Sequence, residues 1–238
     1  MPMTVDVLAI AAHPDDVEQT CGGTLIGMAE TGYRTAVVDL TAGEMGTRGS
    51  PEQRATEAQK AAEIMLLSRR DNLHLPDARL ENTWEARLKV AAKIREFQPR
   101  VVLLPYWQAR HPDHYRCCEI SAEACFLAGL KKLELEGPPY RPSKILYACV
   151  YADVRPSFVV DISAQFERRL EALLSYGSQY QTQTGGSSVF PEQEAVAERI
   201  RAAARHYGMM IDARYGEPFV MKEMMKVGDV AALGVRSI

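Results

Sequence analysis

The chain has 238 residues, of which 47% are apolar and 25% charged, a composition that is typical of a folded globular protein and excludes a disordered or fibrous one. Its 28 Lys and Arg against 31 Asp and Glu give a net charge of −3, and no basic stripe is present, so nucleic acid is not expected as a partner. No run approaches the roughly 18 apolar residues of a membrane span, and the start lacks a positively charged leader, so we expect a cytoplasmic protein without a membrane partner.

Short β-branched apolar runs alternate with longer segments of helical periodicity, which predicts a parallel sheet covered by helices. The predicted strands are Val5 to Ala11, Thr35 to Leu40, Asn72 to Leu75, Arg100 to Leu104, Ile145 to Val150 and Phe158 to Val160. The predicted helices are Val17 to Thr31, Pro51 to Leu67, Thr83 to Phe97, about His111 to Leu130, about Ala164 to Tyr176 and about Glu192 to Tyr207. The fold class is therefore α/β, a three-layer Rossmann-like and mostly parallel sheet with helices on both faces. We expect one domain over residues 1 to 238, in which the part from about residue 140 completes the sheet and the substrate pocket.

Two further features concern flexibility and redox state. The segment from Gln179 to Ser188 is rich in Thr and Gly and has neither periodicity nor bulk, so we interpret it as a mobile loop and a candidate lid. The five cysteines are an odd number without CxxC spacing, which favours reduced and mostly buried thiols.

The first chemical motif, Ala12-His13-Pro14-Asp15-Asp16, comes directly after the first strand. Ligands in open α/β sheets bind at the carboxyl ends of strands. His13 and Asp16 could bind one divalent ion from a tight turn, the first through nitrogen and the second through oxygen. Asp15 would then lie beside the metal without being a ligand.

The second motif, Arg110-His111-Pro112-Asp113-His114, follows the fourth strand in the same way. Pro112 suits the first turn of a helix, so His111 and His114, three residues apart, are expected on one side of the helix start. One imidazole can bind the metal while the other takes part in catalysis.

Each motif alone would favour an ordinary explanation, in which the aspartates cap helices and the histidines are solvated. Together they supply two imidazoles and one carboxylate for a three-ligand site with an open position, and they leave Asp15 and His111 for catalysis. Zn²⁺ is the expected metal, although the same donor set also suits Fe²⁺. His74 and His206 have no partner motif and are interpreted as structural.

A third region is the Gly-rich loop after the second strand, which leads from Thr41 to Gly49 and on to Arg54 in the next helix. By itself it would be a flexible loop with a solvated arginine. Its position beside the proposed site predicts contact with the substrate.

At these motifs the sequence resembles the zinc-dependent N-acetylglucosaminyl deacetylase family, which includes the PIG-L and LmbE-like proteins. The likeness extends over nearly the whole chain, through Thr41-Ala42-Gly43-Glu44, Leu75-Pro76-Asp77, Ser178-Gln179-Tyr180 and Tyr215-Gly216-Glu217-Pro218-Phe219. Within the family it looks most like the bacillithiol-biosynthesis branch, which deacetylates N-acetylglucosaminyl malate to acetate and the free amino sugar. The resemblance also implies a homo-oligomer, often a hexamer.

The resemblance implies a role for each site residue. His13, Asp16 and His114 would be the zinc ligands, with Asp15 as general base. Protonated His111 would be the acid or electrostatic partner, and Arg54 would lie near the reacting carbonyl. The substrate-binding residues would be Arg48, Arg110, Glu44 and Gln179. Arg48, Arg54 and Arg110 are the candidates to bind the malate carboxylates, because arginine can pair with such groups in a bidentate way. Asp113 would orient a histidine, or would be a plain helix-start aspartate. Some relatives place a tyrosine beside the oxyanion, and the sequence alone does not assign that role to one of the tyrosines here.

Three alternatives stay open. A dinucleotide-binding oxidoreductase would use Asp39 as its ribose acid, but the turn after the first strand lacks GxGxxG. A non-catalytic metal-binding protein would need the same ligands but would leave Asp15 and His111 without a use. A deacetylase of another acetylated sugar, such as a diacetylchitobiose-like or thiol-conjugate substrate, would use the same residues.

Overall fold

The computed structural model describes residues 4–149, 154–181 and 193–235. Within these residues seven strands form one sheet, which confirms the predicted α/β fold. The strands are β1 (Val7–Ala11), β2 (Thr35–Asp39), β3 (Arg69–Asn72), β4 (Val101–Pro105), β5 (Lys144–Ala148), β6 (Phe158–Asp161) and β7 (Gly216–Val220). Their order is β3-β2-β1-β4-β5-β7-β6; the first five are parallel, and β7 is antiparallel to both neighbours.

Helices cover both faces of the sheet because successive side chains of a buried strand point to opposite sides. In β1, Val7, Ala9 and Ala11 pack on one face, whereas Leu8 and Ile10 pack on the other. Burial of each such Leu or Ile contributes about 1.5–3 kcal/mol. The first face carries α1 (Asp16–Thr20), α2 (Gly22–Glu30), α3 (Pro51–Ile64), α6 (Phe166–Leu174), α7 (Gly177–Tyr180) and α8 (Gln193–Met209). The second face carries α4 (Trp84–Phe97) and α5 (Pro112–Leu127).

The start of α3 follows from local sequence. Ser50 Oγ accepts a hydrogen bond from Gln53 N at 3.2 Å, and Gln53 Oε1 accepts one from Ser50 N at 2.9 Å. Pro51 occupies the first helical position, where its missing N–H costs nothing. This capping box confirms the predicted helix start and fixes the helix that carries Arg54.

The predicted third strand was wrong by about three residues. The strand is Arg69–Asn72 rather than Asn72 to Leu75. Arg70 is charged yet buried, because Asp39 on the neighbouring strand accepts its hydrogen bonds at 2.8 and 3.0 Å. After the strand, His74 has a φ of 50°, a left-handed conformation that a regular strand excludes.

The predicted first helix, Val17 to Thr31, is instead two helices that meet at Cys21. The break lets the Glu217 carboxylate accept hydrogen bonds from Gly23 N at 2.8 Å and Thr24 N at 2.7 Å at the start of α2. Glu217 lies in β7, a strand that was not predicted because Gly and Pro in its sequence are poor strand formers. The four-residue α7 was also missed, since it is too short to show a helical period.

The topology creates a crevice at the carboxyl ends of β1 and β4. These strands are neighbours, but α1 follows β1 on one face and α5 follows β4 on the other. Such a switch point is where open α/β sheets bind their ligands. Both predicted motifs flank it.

All five cysteines are buried and free, as predicted. Burial raises the pKa of the Cys117 thiol well above its ordinary value and that of Cys118 to about 11, which makes both poor nucleophiles. Among the helices of the described ranges, none combines the length and hydropathy that crossing a membrane requires.

Candidate active site

The first motif forms the turn between β1 and α1. His13 N donates to Asp16 Oδ2 at 2.9 Å, which closes the turn. Asp15 precedes the helix with a φ of 100°, a left-handed conformation that residues other than glycine rarely adopt and that clusters at functional sites. The turn brings the three side chains to the wall of the crevice.

The second motif forms the start of α5. His111 is the N-cap residue, its Nδ1 accepts a hydrogen bond from Asp113 N at 3.2 Å, and Pro112 is the first helical residue. The rings of His111 and His114 stack with centroids 5.0 Å apart. Both imidazoles therefore lie on one side of the helix start and line the same crevice.

Asp16 lies between two imidazoles contributed by different strand ends. Its Oδ2 is 3.4 Å from His13 Nδ1, and its Oδ1 is 3.2 Å from His114 Nε2. Two donor atoms that each lie about 2.0–2.1 Å from a tetrahedral zinc ion are roughly 3.3 Å apart. Each of the two Asp16 contacts, made by a different oxygen, has about this spacing, and the chemistry of two imidazoles and a carboxylate suits Zn²⁺ or Fe²⁺; the groups of described residues with one donor atom each within 4.8 Å of one another are two others. In a second possible donor set, His13, His111 and His114 place one nitrogen each within 4.8 Å of one another.

The other ring nitrogen of His13 faces two carboxylates. Its Nε2 lies 3.0 Å from Asp77 Oδ1 and 3.3 Å from Asp113 Oδ2. These three residues form a further possible donor set, but backbone amides already bind both carboxylates, Met45 N to Asp77 Oδ2 at 2.8 Å and Ala78 N to Asp113 Oδ2 at 2.7 Å. A carboxylate on one ring nitrogen orients the other nitrogen towards a metal.

The charges of this cluster favour a bound cation. Burial alone would lower the pKa of His13, but its hydrogen bonds with Asp113, Asp16 and Asp77 outweigh burial and raise the pKa to about 12. Burial would raise the pKa of Asp16, yet His114 and His13 hold it well below its ordinary value. The carboxylates thus stabilise positive charge at the imidazoles, a charge that a divalent ion would supply in place of protons.

Asp15 is a separate carboxylate held from two sides. Its Oδ2 accepts a hydrogen bond from the Tyr180 hydroxyl at 2.5 Å, and its Oδ1 is 3.6 Å from Arg54 Nη2. Burial raises the pKa of Asp15 and Arg54 opposes the rise, while neighbouring Asp16 adds to it, so that the pKa reaches about 6. A carboxyl group that titrates near neutral pH suits a general base.

The structure disfavours a protonated His111. Burial and the positive charge of His13 and His114 lower the pKa of His111. Because its Nδ1 accepts a hydrogen bond from a backbone amide, the neutral ring carries its proton on Nε2. The imidazole can still donate a hydrogen bond from Nε2.

Arg54 is buried and bound to the loops around Asp15. Its Nη2 donates to Pro14 O at 2.5 Å, and its Nη1 donates to Gly43 O at 3.3 Å. The guanidinium therefore joins the first motif to the Gly-rich loop. Arg54 lines the crevice, and its hydrogen bond to Pro14 O holds the turn that carries Asp15.

The remaining predicted substrate contacts differ in accessibility. Arg48 and Gln179 bind each other, since Arg48 Nη1 donates to Gln179 O at 3.1 Å and Gln179 Nε2 donates to Arg48 O at 2.7 Å. Glu44 Oε1 accepts a hydrogen bond from Asp77 N at 2.8 Å and does not line the crevice. Arg110 is exposed and does line it.

The crevice has a volume of about 1130 Å³, which is slightly above the range of roughly 300–1,000 Å³ for small-molecule sites. Its wall is built from the carboxyl ends of β1, β4 and β5, the starts of α1 and α5, and one side of α8, from which Val196 and Arg199 contribute. From residue 182 onwards, the segment predicted as a lid lies outside the described residues.

Comparison with known proteins identifies the family. A model of the family described as PIG-L: GlcNAc-PI de-N-acetylase matches residues 8–125. The chain is 31% identical over 225 residues to the diacetylchitobiose deacetylase of Thermococcus kodakarensis. The aligned region covers 89% of this chain and 80% of that protein. The chain belongs to the PIG-L family. It is an enzyme of the reaction class of that family, hydrolysis of an amide bond by a deacetylase.

Two other proteins similar to this chain bear on substrate and fold. The probable N-acetyl-alpha-D-glucosaminyl L-malate deacetylase 2 of Bacillus anthracis is 28% identical over 195 residues, 74% of this chain and 82% of that protein. The crystal structure of the conserved protein TT1542 from Thermus thermophilus is 39% identical, with a TM-score of 0.85 over 94% of this chain and 98% of that one.

Two residues at the centre of the site were not assigned a role from the sequence. Asp77 follows β3 in a loop, and Tyr180 ends the short α7. Both occur in segments that the resemblance includes, but a lone aspartate and a lone tyrosine carry no spacing that predicts a contact. Proximity to a strand end could have suggested Asp77, because β3 and β1 end at the same edge of the sheet.

Proposed function

We propose that the chain is a metal-dependent hydrolase that removes the acetyl group from an N-acetylglucosamine conjugate, with His13, Asp16 and His114 holding Zn²⁺. One observation carries the proposal. Asp16 lies within 3.4 Å of imidazole nitrogens from two strand ends, beside a second carboxylate, Asp15, that does not take part in that contact. Ligands with an unused base next to them favour catalysis over metal storage.

The roles of the protein groups follow from their positions. A bound Zn²⁺ would polarise the amide carbonyl and lower the pKa of water to about 7. Asp15, with its raised pKa, accepts the proton of the attacking water as a carbon–oxygen bond forms. The Nε2–H of His111 donates a hydrogen bond to charge that develops on the carbonyl oxygen. The proton held on Asp15 then goes to the leaving nitrogen as the carbon–nitrogen bond breaks, which yields acetate and a free amine.

N-acetyl-alpha-D-glucosaminyl L-malate is the substrate we favour, which would make this a step of bacillithiol biosynthesis. The 28% identity to the Bacillus anthracis relative supports it. Arg110 and Arg199 are exposed on the crevice wall, and within the described residues neither pairs with an acidic side chain. Two unpaired cations suit a dicarboxylate such as malate. A neutral diacetylchitobiose-like substrate is the second candidate, because the Thermococcus relative has the higher identity.

The test compares acetate release from N-acetylglucosaminyl malate, diacetylchitobiose and N-acetylglucosamine by protein with quantified metal. We expect Arg110→Ala to raise KM about tenfold or more for the malyl compound and little for the neutral sugars, since a charge-assisted pair is lost. Arg116→Ala is the matched control, because Arg116 lies in α5, the helix that Arg110 precedes, has a side chain that is 43% exposed, binds Glu119 at 2.7 Å and does not line the crevice. Equal KM changes for charged and neutral substrates would contradict the malate assignment.

A cytoplasmic location, zinc as the bound metal, homo-oligomeric assembly and a single domain stay predictions from the sequence. The dinucleotide-binding alternative is disfavoured, because Arg70 binds both carboxylate oxygens of the buried Asp39.

A further inference from the structure

Tyr180 reaches the proposed base from a distant part of the chain. It is the last residue of α7, its side chain is buried, and its hydroxyl donates to Asp15 Oδ2 at 2.5 Å across 165 positions of sequence. A short hydrogen bond from a neutral hydroxyl to a carboxylate is among the stronger ones in proteins. Such a bond fixes the rotation of the carboxylate about its last side-chain bond.

The tyrosine is itself held in place. Glu57 of α3 accepts hydrogen bonds from Ser178 N and Ser178 Oγ, both at 2.6 Å, at the start of the same short helix. Gln179 is bound in turn to the backbone of Arg48 at 2.7 Å. The segment that ends in Tyr180 is therefore attached to α3 and to the Gly-rich loop, so its hydroxyl is a fixed donor rather than a mobile one.

The two oxygens of Asp15 have different surroundings. Oδ2 is engaged by Tyr180, whereas Oδ1 faces Arg54 Nη2 at 3.6 Å, beyond the usual hydrogen-bond distance. The backbone at Asp15 is in the left-handed conformation, so the direction of its side chain is already constrained. A single further contact is then enough to choose which oxygen faces the substrate.

We infer that Tyr180 is a positioning residue, whose hydroxyl holds Oδ2 of Asp15 and thereby presents Oδ1 as the oxygen that accepts the proton. This inference rests on the proposed function, in which Asp15 is the base. It also assigns the tyrosine a different role from an oxyanion donor, because its proton is already given to Asp15.

The chain offers a matched control in Tyr176, four residues earlier. Tyr176 is also buried, and its hydroxyl donates to the buried carboxylate of Glu18 at 3.1 Å, away from the crevice wall. Tyr180→Phe and Tyr176→Phe therefore each delete one buried hydroxyl that binds one carboxylate. Only the first deletion touches the base.

The experiment measures kcat, KM and Co²⁺ affinity for the metal-loaded wild type and both variants on whichever acetylated sugar the wild type hydrolyses fastest. For Tyr180→Phe we expect kcat to fall about tenfold to a hundredfold, as misplaced catalytic groups do, with KM and Co²⁺ affinity changed by less than about twofold. Tyr176→Phe should keep kcat within about twofold, and a crystal structure of Tyr180→Phe should show the Asp15 carboxylate rotated.

An unchanged kcat in Tyr180→Phe, or an equal loss in both variants, would overturn the positioning role while leaving the deacetylase assignment intact. If the wild type with bound metal releases no acetate from any substrate, the proposed function fails, and the role of Tyr180 fails with it.

Discussion

Asp15 and Asp16 are adjacent in sequence, yet their environments separate their chemistry. Asp16 lies between two imidazoles, which hold its pKa well below the ordinary value in spite of burial. Asp15 has one cation at 3.6 Å and a tyrosine, so burial dominates and its pKa rises. Two neighbouring carboxylates whose pKa values move apart are suited to different chemical roles.

Asp77 is expected to orient His13 for metal binding. Its carboxylate lies 3.0 Å from His13 Nε2, so Asp77→Asn weakens the contact that orients the ring and raises its basicity. We expect the dissociation constant for Zn²⁺ to rise about tenfold to a hundredfold, measured by competition with a chelating dye. Asp71→Asn is the control, because Asp71 is a carboxylate that binds Lys93 at 2.7 Å outside the crevice. Equal affinities of the two variants would show that Asp77 does not orient His13.

The site residues that follow strand ends in compact motifs could be predicted from the sequence. His13, Asp15 and Asp16 follow one apolar strand, and His111 and His114 follow another, so the edge of the sheet brings them together. The contacts of Asp77 and Tyr180 were not predictable, because each depends on the path of a loop or a four-residue helix rather than on a repeating pattern.

At the scale of elements, a buried ion-pair network joins β2, β3 and α1 behind the site. Arg70 Nη1 binds Glu18 Oε1 at 2.5 Å, and its other nitrogens bind Asp39. Only 4% of the Arg70 side chain is exposed, and the two carboxylates are buried as well. Removing one charge of such a buried pair is destabilising, because the partner charge is then buried without compensation.

Arg70→Ala should therefore destabilise the fold by about 3–5 kcal/mol, because it leaves two buried carboxylates without their cation. Arg69→Ala is the matched control. Arg69 precedes it in the same strand and also binds two carboxylates, Asp71 and Glu96, but 38% of its side chain is exposed. Exposed pairs are worth about 0–1 kcal/mol, so urea unfolding should separate the two variants. Similar urea midpoints for Arg70→Ala and Arg69→Ala would contradict a stabilising contribution of the buried network to the fold.

This network also explains why β3 was misplaced by the sequence. Three of the four residues of β3, Arg69, Arg70 and Asp71, are charged, which is unusual for a strand in a parallel sheet. The apolar alternation of the following residues was a stronger signal for a strand. Burial of Arg70 is possible because Asp39 on the neighbouring strand accepts its hydrogen bonds, which a local pattern does not show. Apolar strands such as β1, β2 and β4 had no such conflict and were predicted within about two residues.

In the molecule as a whole, β5, β6 and β7 of the C-terminal part complete the sheet, and β7 is tied to two helices of one face. Glu217 in β7 binds the start of α2 and pairs with Arg169 of α6 at 3.1 Å. The antiparallel insertion of β7 between β5 and β6 was not predictable, since nothing in a local pattern states which strand a late segment will join. The two motifs did predict a site at the carboxyl ends of β1 and β4, and the switch point between these neighbouring strands is where the crevice lies.

The most direct test of the account measures acetate release by the wild type and by Asp15→Asn while bound metal is quantified in both. We expect removal of metal by a chelator to abolish turnover in the wild type and added Zn²⁺ to restore it. Asp15→Asn should bind a full equivalent of metal yet lose about 10²–10⁴ in kcat, as enzymes without their general base do. Turnover that survives either the chelator or the substitution would contradict a metal-dependent deacetylase with Asp15 as its base.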